Sequence, residues 1–334
     1  MSQKTGRVTL KNVAQAAGVS EMTVSRVLRQ SGTVSERTRA HVRQIVESMG
    51  YVQNHMAGSL ATSRSNQVAV IIPSLINNVF TEVVAGIADA LERAGYNAII
   101  GVSDYNLDRE EALIASMMSW RPAGMILSNI AHTARATNIL RNAAIPLVEM
   151  MNLTRTPIDT CVGVDQAAAG RALAGHLIAR GYRRFGYVGW HDLDFSAAAR
   201  LSGMQQVITA GGGQIVLLSA FDSPPDIAAG KSGLRRLLQQ QPTVEAVIFS
   251  NDTAATGGYL HCVEAGIDVP GDLALAGFSG LQMGQTLPRK LTTVMTQRYD
   301  IGRISARCIL NRLAGQSPDR VVDMKFALIE GETS

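Results

Sequence analysis

The sequence predicts a small all-α headpiece of helix-turn-helix type, joined to a two-lobed α/β body of doubly wound parallel sheets. Two observations carry this prediction. Between residues 8 and 49, short segments place apolar residues at helical spacing, with Gly18 and Gly50 as breaks. From Val68 onward, apolar runs alternate with amphipathic helices, and the alternation starts afresh near Cys161. Such alternation is the pattern of parallel strands covered by helices, and its restart implies two similar lobes.

In the headpiece, Val13, Ala16 and Ala17 fit one face of a first helix, and Gly18 allows the tight turn that ends it. Ser20 can cap the next helix by accepting from a free backbone N–H. That helix turns Val24, Val27 and Leu28 inward. It leaves Glu21, Met22, Ser25, Arg26 and Arg29 outward, where base edges and phosphates of a duplex would lie. A third helix, from Ser35 to Met49, buries Val42, Ile45, Val46 and Met49 and keeps Arg37, Arg39 and Arg43 solvated. Three such helices could also form a bundle that binds nothing, and charge separates the two readings. Residues 1–65 hold nine Lys/Arg against three Asp/Glu, whereas the whole chain is only +4. The positive charge gathers where a polyanion would dock.

Composition turns polar at residues 64–66, and a boundary is expected near residue 65. Strands are then expected at 68–73, 97–102, 124–128 and 145–150, with helices at 80–94, 108–119 and 133–143 between them. The second series has strands at 161–165, 184–189, 214–218, 244–249 and 273–277. Its helices fall at 166–180, 197–210, 226–240 and 253–265. Near Leu291–Gln297 the chain crosses back, and a last helix from Tyr299 to Leu313 packs on the first lobe. The expected organisation is a headpiece over 1–53, a hinge helix and linker over 54–65, and a body over 66–334. Lobe 1 takes about 66–160 and 293–320, and lobe 2 about 161–291 and 321–334.

Several function classes are excluded. The polar, basic N-terminus has no apolar run behind it, so neither a secretory signal nor a membrane span is expected, and the chain reads as cytoplasmic. Cys161, Cys262 and Cys308 are odd in number and set among apolar residues, which favours buried free thiols; no metal spacing appears. Gly211-Gly212-Gly213 lacks the strand-turn-helix order of a dinucleotide site, there is no phosphate loop, and the six histidines are scattered. No cofactor and no catalytic residue is expected, so the chain does not read as an enzyme.

The segments Val8-Thr9-Leu10-Lys11-Asn12-Val13-Ala14, Gly18-Val19-Ser20, Thr23-Val24-Ser25-Arg26-Val27-Leu28 and Val34-Ser35 resemble the headpiece of the lactose/galactose repressor family. The resemblance runs nearly end to end and implies a body like that of periplasmic binding proteins. Gly50-Tyr51-Val52-Gln53-Asn54 is similar to the family's junction, and His55 to Ala61 to its hinge helix, with Leu60 matching the leucine that wedges into the minor groove. Ala57 lies on the same face and is small enough for two hinge helices to approach. The resemblance thus implies contacts to operator DNA from Ser20, Glu21, Met22, Thr23, Ser25, Arg26, Arg29, Asn54, His55, Ala57 and Leu60. It further implies a homodimer at nucleoid DNA, on a near-palindromic operator.

Two lobes of this kind place the carboxyl ends of both sheets around one cleft, the family's effector site. Residue by residue, the resemblance assigns Arg200 and Asn251-Asp252 to that site, with Asp252 accepting from ligand hydroxyls. Phe80 is the candidate aromatic, and Glu149, Asn152 and Asp165 stand at strand ends facing the same cleft. Asp252 could alternatively cap its helix, Arg200 could be a surface charge, Phe80 could be core and Glu149 could lie at a surface strand end. Ser223-Pro224-Pro225-Asp226 carries none of the stacking aromatics found in many sugar-binding relatives, which disfavours a flat pyranose. Together with Ile72-Pro73-Ser74-Leu75, Glu149-Met150-Met151 and Ala276-Gly277-Phe278, the chain resembles the gluconate-operon repressor subgroup. That resemblance implies a repressor of sugar-acid uptake and catabolism genes, induced by gluconate or a close relative. Ketogluconate, idonate or 6-phosphogluconate as ligand, and corepression as mechanism, stay open.

Overall fold

A capping box opens the first helix of the computed structural model. Thr9 Oγ1 accepts from the Asn12 N–H at 3.3 Å, and the Thr9 N–H donates to Asn12 Oδ1 at 2.9 Å. The structure describes residues 8–28, 32–52, 65–190, 194–220 and 226–334, which fall into two compact units, Met1–Ser65 and Asn66–Ser334. In the first unit α1 (Leu10–Ala17) ends at Gly18, whose φ of 65° only glycine adopts without strain. Next come α2 (Glu21–Leu28) and α3 (Glu36–Ser48). Val13, Ala14, Ala17, Val24, Val27 and Val42 form the core, with Ile45, Val46 and Met49 against it. Ala16, expected inside, is exposed, and Ala14 is buried in its place. At 100° per residue the buried arc runs through positions 13, 17 and 14 and leaves 16 outside it.

The second unit begins with β1 (Gln67–Ile72), α4 (Asn78–Glu92), β2 (Asn97–Val102), α5 (Leu107–Ser119) and β3 (Gly124–Leu127). It continues through α6 (Ala134–Arg141), β4 (Leu147–Asn152), β5 (Thr160–Val164), α7 (Gln166–Ala179), β6 (Arg184–Gly189) and α8 (Phe195–Ala210). Then follow β7 (Gln214–Ala220), α9 (Ile227–Gln240), β8 (Ala246–Phe249), α10 (Asp252–Ala265), β9 (Ala274–Ala276) and α11 (Gln282–Gln285). The chain closes with β10 (Thr293–Thr296), α12 (Arg298–Leu313), β11 (Val321–Asp323) and β12 (Phe326–Ile329).

One sheet has the order β11-β5-β4-β3-β1-β2, all parallel, and the other the order β7-β6-β8-β9, also parallel. Alternate residues of β1 serve opposite faces, as the period of two requires. Val68, Val70 and Ile72 meet α4 and α12 through Val83, Ile87 and Ile301, while Ala69 and Ile71 meet α5 and α6 through Ile114 and Leu140. In the second lobe α9 and α10 cover one face of the sheet, and α7 and α8 the other.

Three lobe assignments differ from the sequence expectation. The strand at 160–164, expected to begin lobe 2, pairs with β4 in the first sheet, and β11, also expected in lobe 2, pairs with that strand at the sheet's edge. Conversely β10, expected in lobe 1, pairs antiparallel with β12 and bridges to the β9 end through Ala276–Thr292 and Ser279–Met295. The physical reason is burial. β5 is buried along its length, and Val162 and Val164, on one face of it, fill the first lobe's core, whereas Val294 fills the second lobe's core. A strand-then-helix period marks a strand without saying which sheet receives it.

Three helix pairs cross on paired glycines. A Cβ on Gly86 would stand 2.0 Å from Tyr299 O, and one on Gly302 would stand 2.0 Å from Val83 O, at the α4–α12 crossing. Gly170 and Gly203 play the same part for α7 and α8, where the added Cβ atoms would meet Arg200 O at 2.2 Å and Ala167 O at 2.1 Å. Gly230 and Gly257 do so for α9 and α10. The second crossing sets the backbone of Arg200.

Candidate functional site

The C-terminal ends of the strands deliver polar side chains to a cleft between the two lobes, the place that open α/β sheets reserve for ligands. The cleft has two chambers. One, of about 450 Å³, is bounded mainly by the first lobe through Ser103, Asn106, Glu110, Ser128, Asn129 and Asn152, closed by Asp194 to Ser196 of the second. The other, of about 560 Å³, is lined by Asn77, Gln166, Arg200, Ser250, Asn251 and Phe278, among others. Phe80, Tyr105, Met151, Asp194 and Ser196 border both.

Arg200 is the centre of the second chamber. Its position on α8 is 8% exposed, so the guanidinium is held by the protein and not by bulk water. Nη1 donates to Gln166 Oε1 at 3.0 Å and Nη2 to Ser250 O at 3.2 Å, while the guanidinium carbon lies 4.3 Å over the Phe278 ring. This is a pre-oriented planar fork, suited to a carboxylate or a pair of hydroxyls. Beside it Ser250 Oγ is buried with no hydrogen-bond partner among the described residues.

The other candidates divide. Phe80 borders both chambers while packing into the first lobe's core, so the core reading and the cleft reading both describe it. Asn152 Oδ1 accepts from Ser196 Oγ at 2.9 Å, a hydrogen bond from one lobe to the other. Asn251 lines the second chamber and also caps α10 by accepting from the Ala254 N–H at 2.8 Å.

Asp252 departs from the expectation that it meets ligand hydroxyls. It is fully buried, with Oδ2 accepting from the Leu281 N–H at 2.6 Å and Oδ1 from Thr293 Oγ1 at 2.7 Å. Asn251, and not Asp252, is the N-cap of α10, which turns the next side chain away from the cleft and under the β9 and β10 ends. Asp165 caps α7 through the Ala168 N–H at 2.8 Å and borders neither chamber. Glu149 is buried behind the first chamber and does not line it, because successive residues of β4 alternate between faces; Oε2 accepts from the Ile158 N–H at 2.6 Å.

Burial pushes the Asp252 carboxyl up to about 6, against the hydrogen bonds from Thr293 and Leu281 and the charge of Arg298. The folded protein therefore holds this proton more tightly than the unfolded chain. Stability from this group is complete below about pH 4 and is lost as pH rises to about 6. The loss is on the order of 3 kcal/mol. Urea unfolding of the wild type and Asp252→Asn at pH 4 and pH 7 measures it. The variant gains on the wild type by that amount at pH 7, and a difference independent of pH would refute the assignment.

Several cleft residues carry no signal in the linear sequence. Tyr105 has a φ of 58°, packs edge-on against Trp190 at 4.7 Å, and its hydroxyl accepts from Asn77 Nδ2 at 3.0 Å. Gln166 and Phe278 hold Arg200, and Ser196 meets Asn152. Their common signal is position, at or just beyond strand ends, which becomes usable once the strands are placed.

The candidate DNA face is the exposed side of α2. Glu21, Met22 and Arg26 are exposed, Met22 at 63%, whereas Thr23 and Ser25 are half-buried. Exposed Ser20 caps α2 by accepting from the Thr23 N–H at 3.2 Å. A methionine so far out of the core is available to a partner. Arg29, Asn54, His55, Ala57 and Leu60 lie outside the described residues.

Comparison with known proteins matches residues 9–54 to the family described as bacterial regulatory proteins, lacI family. Residues 65–328 match periplasmic binding proteins and sugar binding domain of LacI family. The HTH-type transcriptional regulator GntR of Pseudomonas aeruginosa is 36% identical over 335 residues, covering 100% of this chain and 97% of that protein. The regulator of the same name from Escherichia coli K12 is 33% identical, covering 98% and 99%. A crystal structure of a LacI-family transcriptional regulator from Silicibacter pomeroyi is 40% identical with a TM-score of 0.93, covering 98% of this chain and 99% of that one.

Proposed function

The chain belongs to the LacI family of bacterial regulatory proteins, and from that premise we propose that it is a repressor released from its operator by gluconate or a closely related open-chain sugar acid. It is a DNA-binding transcriptional regulator and not an enzyme, and it acts as a dimer on operator DNA. The observation that carries the sugar-acid reading is Arg200, the only cationic side chain bordering either chamber among the described residues. A buried, pre-oriented guanidinium selects an anionic ligand, and the hydroxyl and amide groups around it suit a polyol. The GntR names of the relatives point the same way.

In this reading Glu21 and Met22 read base edges, and Arg26 and Arg29 contact phosphate or a base edge. Glu accepts from cytosine N4, and Met packs on a thymine methyl. Leu60 wedges at the operator centre, with Asn54, His55 and Ala57 in the hinge. Arg200 takes the ligand carboxylate, while Asn251, Asn152 and Phe80 complete the walls. The chain works in the cytoplasm, at the nucleoid. A ligand that binds the DNA-free arrangement about a hundredfold better supplies roughly 2.7 kcal/mol of coupling per site.

The test is operator release measured by fluorescence anisotropy at fixed salt, with DNA from upstream of the protein's own gene. Gluconate, ketogluconates, idonate, 6-phosphogluconate and glucose are titrated in turn. Gluconate or a near relative releases the DNA and glucose does not. Release by glucose alone would show that the site needs no carboxylate, and tighter DNA binding with any ligand would reverse the sign of the switch.

A further inference from the structure

Behind the first chamber lies a buried cluster of two carboxyl groups and an imidazole. Glu110 on α5, His132 in the loop before α6 and Glu149 on β4 come together from three elements. His132 Nδ1 is 2.5 Å from Glu110 Oε1, and Nε2 is 3.5 Å from Glu149 Oε1, with all three side chains at most 5% exposed. Glu149 is anchored from behind by the Ile158 N–H, so His132 is pinned between a fixed carboxylate and one that faces the cavity. Burial alone would lower the imidazole's proton affinity. The hydrogen bonds and charges of the two glutamates outweigh it and push His132 up to about 9. The cluster thus gathers two carboxyl groups around a single imidazole.

The two chambers therefore differ in their charged lining. Asp194 borders both, but the first adds Glu110 and no cation, whereas the other adds Arg200. Resting on the sugar-acid reading, we propose that this asymmetry fixes the ligand's direction. The carboxylate lies with Arg200, and the hydroxylated tail enters the first-lobe chamber, where Glu110, held in place by His132, accepts from a tail hydroxyl. Glu110 touches the ligand as a specificity-determining residue, and His132 is a positioning residue acting through it.

The chemistry of the wall supports this direction. An ionised carboxylate only accepts, so it selects a group with a proton to give and repels a second anion. Asn129 Oδ1 is taken by the Ile130 and Ala131 N–H groups, and Asn106 Oδ1 by the Arg109 N–H, which leaves their amide N–H groups as donors. Glu110 adds the charged acceptor that a chain of hydroxyls needs at the same wall. A polyol tail meets these demands, and a second carboxylate does not.

Calorimetric titration of the full chain with D-gluconate and D-glucarate, which differ only in whether the far carbon carries a hydroxyl or a carboxylate, tests the proposal. The wild type binds gluconate at least a hundredfold tighter than glucarate. Glu110→Gln, which keeps the side chain's shape, weakens gluconate at least tenfold and leaves glucarate unchanged or tighter. His132→Asn shifts the ratio in the same direction, by less. A purely structural role would lower both ligands by one factor, and that result, or no change in either, would overturn the proposal. Should the variants fail to fold, the wild type still decides, since equal affinity for the two acids rules the proposal out. If the wild type binds neither, the sugar-acid reading itself has failed, and that is seen before any variant is made.

Discussion

Arg200→Met raises the effector concentration needed for operator release at least a hundredfold and leaves operator affinity within about twofold. The substitution keeps length and removes the planar charge, so the loss is that of an ionic partner and not of bulk. Removing one member of a buried, hydrogen-bonded charge pair costs about 2–5 kcal/mol. At about 1.4 kcal/mol per tenfold, that is roughly thirty- to several-thousand-fold in ligand affinity. Three contacts within the protein go as well, since Gln166 Oε1 and Ser250 O each lose a donor and the Phe278 ring loses the cation above it, and these lower stability in the free and bound states alike. Arg200→Lys restores charge without the fork or the stacked plane and recovers only part of the response. Anisotropy with operator DNA, with and without ligand, reads both quantities. A variant that still responds at the wild-type concentration would remove Arg200 from the site.

Gly302→Ala lowers the unfolding free energy by about 3 kcal/mol or more, although alanine is the better helix former by about 1 kcal/mol. The added methyl would sit 2.0 Å from Val83 O and 2.9 Å from Val83 C, both backbone atoms of α4 that no rotamer change can move aside. The helices must separate, and the close packing of Ile301, Val83 and Ile87 separates with them. Gly175→Ala is the control, because that glycine also lies inside a helix, α7, and its added Cβ meets nothing within 4 Å. It gains the ordinary helix preference and stabilises by up to about 1 kcal/mol. Urea unfolding of both variants gives opposite signs, and equal signs would show that the crossing is looser than described.

Much of this architecture was legible in the chain. The headpiece face could be read because Val24 and Val27 recur at helical spacing while Glu21, Met22 and Arg26 fall between them. The parallel strands were legible because runs such as Val68 to Ile72 carry apolar residues for both faces, a composition that only a doubly covered sheet satisfies. Arg200 came from family resemblance, since an arginine on a helix is ordinarily a surface charge, and its burial is what gives it weight. Asp252 was misplaced for a local reason. Adjacent residues at a helix start point in different directions, and the cap went to Asn251.

What the sequence by itself determined is the order and type of elements, because periodicity and turn chemistry act over a few residues and are written there. Tertiary structure decided which sheet received the strands at 160–164 and 293–296, since that choice depends on which core still had a face to cover. It also decided which polar groups meet. Glu110, His132 and Glu149 lie on three separate elements and have no shared motif, yet the packing of α5, β4 and the loop before α6 brings them within hydrogen-bonding or ion-pair distance. Burial then makes them interact strongly, because water that would screen the same charges on a surface is absent between them.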